Sequence, residues 1–155
     1  MSKRILSLVI ALVATVSLST AQIHNAKNIL PKPTKIEMGN SNSKFILSPT
    51  TKVVCKLEDK SMKYALNELN KLGVELFGKA FKKGTKIEGA NNIIIRKENS
   101  IKEEGYHLEI TPENIIIKAK SAAGVFYAIQ TIKQIVPVQA YETPIDLKSL
   151  ALPLL

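Results

Sequence analysis

At 155 residues and 45% hydrophobic content, the chain can build one domain with a real core and is too short for two large ones. Its net charge of +9 comes mainly from lysines scattered along the chain, with few arginines and no tryptophan. That pattern describes a solvated face and argues against a nucleic-acid surface, which would interleave arginine and aromatic residues with its charge. The densest basic cluster, Lys79, Lys82, Lys83 and Lys86, carries only Phe81 as an aromatic. Cys55 is the sole cysteine, so an intrachain disulfide is excluded and the fold must rest on apolar packing.

The N-terminus has the three parts of a secretory signal. Lys3 and Arg4 are basic, residues 5–18 are apolar, and Ser19-Thr20-Ala21 offers small residues for cleavage after Ala21. A membrane anchor is disfavoured, because a span needs roughly 20 apolar residues and this run is shorter and holds Ser and Thr. No cysteine follows it to carry a lipid. Residues 1–21 are therefore expected to be removed, leaving a secreted or periplasmic chain without a stable membrane anchor.

Residues 22–28 read as a flexible leader, with His24 solvated. Leu30-Pro31-Lys32-Pro33 is an extended leading segment, since each proline disfavours helix at the residue before it. Residues 34–38 are expected to form a short edge strand, and residues 39–43 (GNSNS) a loop. Residues 44–48 (KFILS) and 51–57 (TKVVCKL) predict two strands around Pro49, with Cys55 as a buried small hydrophobe.

Asp59 or Ser61 is placed to cap a helix starting near Met62. Met62, Leu66, Leu69, Leu72 and Leu76 make one stripe, while Lys60, Lys63, Asn67 and Lys71 take the outer face. Spacing leaves two ends open, at Gly73 or at Gly78. Residues 79–91 form a polar connection, and residues 92–97 (NIIIRK) the next strand.

From Gly105 the pattern alternates. Tyr106, Leu108 and Ile110 point one way, and His107, Glu109 and Thr111 the other. Pro112-Glu113-Asn114 supplies turn chemistry, and Ile115-Ile116-Ile117 a β-branched run, which together predict a hairpin. Ser121 then caps a helix that Pro137 ends. Val125, Ile129, Ile132 and Val136 form its stripe, broadened by Phe126 and Ile135. Burying six such side chains is worth roughly 9–18 kcal/mol gross, an upper bound since the unfolded chain is not fully extended. Gly124 costs about 1 kcal/mol relative to Ala inside a helix, which predicts that another backbone crosses there.

These elements define an α/β (α+β) fold: a mostly antiparallel or mixed sheet with two helices on one face. No internal repeat is visible. The residues able to do chemistry lack partners. Glu103 and Glu104 are neighbours that point to opposite faces, and Asp59 beside Glu58 is charge at a helix start. His107 has no second histidine or cysteine pattern for a metal, and Ser121 has no His–Asp pair to activate it. Gly105 and Gly124 are isolated and make no phosphate loop. Tyr127 and Gln130 share the second helix and can meet another domain or solvent. No catalytic, cofactor-binding or metal-ligating residue is assigned.

Residues 123–134 (AGVFYAIQTIKQ) resemble the helix that ends the N-terminal domain of family 20 β-N-acetylhexosaminidases. Residues 104–110 (EGYHLEI) are similar to the strand preceding it there, and residues 30–33 (LPKP) to the start of that domain. Related domains occur in O-GlcNAc-type hexosaminidases and α-glucuronidases. The resemblance implies an α/β sandwich over residues 22–137, its helical face packed on a separate catalytic β/α barrel. In that family an Asp–Glu pair in the barrel works with the substrate's own acetamido oxygen. The Gly-Gly-Asp-Glu motif that would hold the pair is absent from this sequence, and residues 138–155 resemble the linker before the first barrel strand.

The expectation is a non-catalytic N-terminal domain whose barrel is missing through truncation or a broken reading frame. Its uncovered helical face would favour self-association. The alternative is a stand-alone secreted binding module for a protein partner or a cell-surface glycan.

Overall fold

The computed structural model describes residues 28–40, 42–142 and 148–155. The expected signal peptide (1–21), most of the leader with His24, and part of the stretch assigned to a linker lie outside them.

In chain order, β1 (Lys44–Leu47) and β2 (Lys52–Cys55) precede α1 (Met62–Phe77), β3 (Lys82–Lys83) and β4 (Asn92–Lys97). Then come β5 (Tyr106–Ile110), β6 (Asn114–Ala119), α2 (Ala122–Ile135), the short α3 (Gln139–Glu142) and β7 (Leu150–Pro153). The main sheet has five strands in the order β3-β2-β4-β6-β5. β2, β4 and β6 run parallel to one another, and β5, the first arm of the β5–β6 hairpin, lies antiparallel at the edge. A mixed sheet follows from the connections: α1 carries the chain across between β2 and β4, while a tight turn joins β5 to β6. β4, at the centre of the sheet, is buried on both faces over Ile93-Ile94-Ile95, all three residues at most 2% exposed, which accounts for the unbroken apolar run.

Both helices cover the same face. Ile93, Ile95, Ile115 and Ile117 from the sheet join Leu69, Leu72 and Leu76 from α1 and Val125, Ile129 and Ile132 from α2 in one cluster. Helix α1 runs to Phe77, the longer of the two ends open from spacing. Gly78 caps it at φ 69°, a left-handed conformation that favours glycine, and its N–H donates to Val74 O at 2.9 Å. Gly73 does not end the helix. The returning chain lies against it, so that an added Cβ would sit 2.9 Å from Lys79 O.

Several details depart from the sequence expectations. Residues 34–38 form no strand. The polar connection contains β3, which adds a two-residue parallel edge beside β2. Phe126 does not widen the α2 stripe and stays 36% exposed, because it sits one residue past Val125 and so turns away from the sheet. Ser121 stands at the α2 N-cap, but its Oγ donates to Glu103 O at 2.5 Å and not to the helix.

Within residues 138–155, β7 pairs antiparallel with β1, Leu152 opposite Phe45. Both side chains are at most 1% exposed and belong to the same core cluster. The chain then crosses to the main sheet, where Leu155 exchanges two hydrogen bonds with Ile110.

Candidate functional site

Glu104 and His107 line one groove beside β5, while Glu103, Asp59, Cys55 and Ser121 make local contacts elsewhere. Glu103 pairs with Lys120 at 3.1 Å on the surface, and Glu104 lines a groove beside β5. Asp59 Oδ1 accepts the Ser61 N–H at 2.7 Å, which holds its carboxyl below the usual range at the start of α1. His107 is exposed on the face opposite the helices, in register with Lys118. Cys55 is half-buried, its thiol directed at Leu57 O at 3.5 Å. Phe81, the aromatic within the Lys79, Lys82, Lys83 and Lys86 cluster, is buried and packs edge-on against Phe77. Among the described residues, no group of His, Cys, Asp and Glu is arranged to hold a metal, and no helix is long and apolar enough to cross a membrane.

What the fold does assemble is a pair of surfaces. The first is the outer side of the helical layer. On α2, Phe126 and Tyr127 form an exposed edge-to-face pair with ring centroids 5.8 Å apart. On α1, Tyr64 and Val74 are also exposed. The two helices are tied by Glu68, whose carboxylate takes Lys71 at 2.6 Å and Lys133 of α2 at 3.3 Å. Those lysines, Lys71 foremost, hold the Glu68 carboxyl below its ordinary range. Behind them, the Tyr141 hydroxyl donates to Lys133 O at 3.1 Å, and burial pushes its phenol up to about 12. Glu68 thus ties the two helices together, and the aromatic pair on α2 is exposed.

The second surface is a groove of about 800 Å³ between residues 31–37 and β5. The leading segment is held in place by Gln134 of α2. Its Nε2 donates to Leu30 O at 2.7 Å, and its Oε1 accepts the Leu30 N–H at 2.8 Å. At the groove floor the Tyr106 hydroxyl shares a 2.6 Å hydrogen bond with Thr131 Oγ1. Sequence reasoning missed both arrangements. The Glu68–Lys71 spacing of three was visible, but Lys133 lies 65 residues away and Leu30 lies 104 residues from Gln134.

The family model described as glycosyl hydrolase family 20, domain 2 matches residues 26–151. The fold is similar to a Streptomyces plicatus β-hexosaminidase solved with its product, at TM-score 0.67 and 21% identity over 84% of this chain and 26% of that one. A Vibrio harveyi exo-β-N-acetylglucosaminidase solved with N-acetylglucosamine gives TM-score 0.66 and 20% identity over 84% of this chain and 18% of that one. A Bacteroides fragilis β-N-acetylhexosaminidase gives TM-score 0.60 and 23% identity over 81% of this chain and 23% of that one. The chain therefore spans about a quarter or less of the length of these structures. No curated protein matches it in sequence.

Proposed function

Because this chain belongs to the glycosyl hydrolase family 20, domain 2 family, we propose that it is a non-catalytic domain that accompanies the catalytic domain of a β-N-acetylhexosaminidase. In this reading the hydrolysis of terminal N-acetylhexosamine from glycans is carried out by a separate β/α barrel. The observation that carries it is the family match across residues 26–151. The helical layer supports it further. Phe126 and Tyr127 form the kind of aromatic pair that anchors interfaces, and the bridge from Glu68 to Lys133 sets the two helices as one rigid platform. The barrel is proposed to sit on that platform, and without it the same patch favours self-association. The basic, apolar and small-residue order of residues 1–21 supports export of the protein.

The docking face is tested in the polypeptide that joins this domain to its catalytic domain. Phe126→Lys together with Tyr127→Lys is expected to weaken the contact by about 2–4 kcal/mol, the scale of interface anchors. The unfolding midpoint of the catalytic unit should fall while its KM for a chromogenic N-acetylglucosaminide stays unchanged. An unaltered midpoint would remove the helical layer as the docking face.

A further inference from the structure

The free edge of the main sheet carries an unfinished ladder. In the β5–β6 register the Thr111 N–H donates to Asn114 O at 2.9 Å. By antiparallel alternation, Glu109 and His107 also turn their backbone groups toward β6, while those of Ile110, Leu108 and Tyr106 turn outward. Ile110 uses both of its groups. Its N–H donates to Leu155 O at 3.0 Å, and its carbonyl accepts the Leu155 N–H at 3.2 Å. That reciprocal pair is one rung of an antiparallel neighbour. Among the described residues, nothing is hydrogen-bonded to the outward groups of Leu108 and Tyr106. They open onto the groove whose opposite wall is the leading segment.

An exposed edge beside a groove is a template for one more strand. We propose that this edge receives an extended segment of the catalytic domain, antiparallel to β5 and in line with the Leu155–Ile110 rung. The proposal rests on the reading above, which supplies the partner. The register dictates the chemistry of the segment. Residues opposite Leu108 and Tyr106 share the helix-side face, where Leu155 and Ile29 already pack, and must be apolar. Residues between them share the face of His107 and Glu109 and are polar. The two domains would then be joined by a shared sheet as well as by a helical face, which fixes their relative orientation.

Amide hydrogen exchange tests this on the chain itself. In the unextended chain the Leu108 and Tyr106 amides should exchange about 100-fold faster than those of His107 and Glu109, which bond to β6. Appending Thr-Val-Thr-Val-Lys after Leu155 tethers a strand of the required pattern at high effective concentration. It should slow the Leu108 and Tyr106 amides by about tenfold or more. A control extension, Thr-Pro-Thr-Pro-Lys, lacks the N–H groups that would donate to the Leu108 and Tyr106 carbonyls and should give no protection. Equal exchange with and without the Thr-Val extension would overturn the proposal. Protection of both amides in the unextended chain that grows with concentration would also overturn it, since a second copy would then hold the edge. Exchange is independent of turnover, so a failure here is separable from a failure of the proposed function.

Discussion

Gly124→Val should lower the unfolding midpoint by roughly 10 °C, since overpacking of this kind costs about 3 kcal/mol and each kcal/mol moves a domain of this size by about 3–5 °C. Gly124 is buried in the first turn of α2, against the chain that leads into β5. A Cβ there would collide with the carbonyl oxygen of Gly105 and meet the Ala119 Cβ at 3.0 Å. The obstacle on one side is backbone, which cannot rotate away as a flexible side chain would. Helix propensity acts in the opposite direction, because a residue other than glycine gains up to about 1 kcal/mol inside a helix. Gly124→Ala should therefore fall between the wild type and the valine variant. Thermal unfolding followed by circular dichroism checks the order, and equal midpoints for all three would contradict the close approach.

Leu152→Ala should cost about 2–5 kcal/mol, the range for truncating a fully buried leucine. The side chain is 0% exposed and faces Phe45 across the β1–β7 pair. Its neighbour Ala151 is exposed on the same strand, so Ala151→Ser should leave stability within about 0.5 kcal/mol. The pair of variants separates a structural strand from a passive tether. If Leu152→Ala unfolds at the same denaturant concentration as Ala151→Ser, β7 adds nothing to the core.

How much of this was readable in the chain depends on the range of the interactions. The hairpin was legible because alternation at Tyr106, Leu108 and Ile110 and a turn at Pro112 lie within a dozen residues. Helix α1 was legible because its stripe repeats four times and Gly78 stops it. The role of Leu152 was not. Its four-residue apolar run ends in proline, and its partner strand lies about a hundred residues earlier, so no local pattern announces the pairing. Phe126 was misplaced for a different reason. Hydrophobicity alone assigned it to the buried stripe, yet a helix turns by about 100° per residue and carries it outward. The groove beside β5 drew on residues 31–37, β5, Thr131 and Leu155, which only the folded chain brings together. In the structure Glu103 and Asp59 serve local contacts.

The proposed division of labour, in which this chain supports a glycosidase and does not itself cleave, is tested most directly by turnover. The purified chain is incubated with 4-nitrophenyl N-acetyl-β-glucosaminide and nitrophenol release is followed. No release above buffer is expected, because the Asp–Glu pair that would protonate the leaving oxygen and orient the acetamide is assigned to the separate barrel. Release that scales with chain concentration, co-elutes with the chain through successive columns and disappears on its thermal unfolding would contradict it.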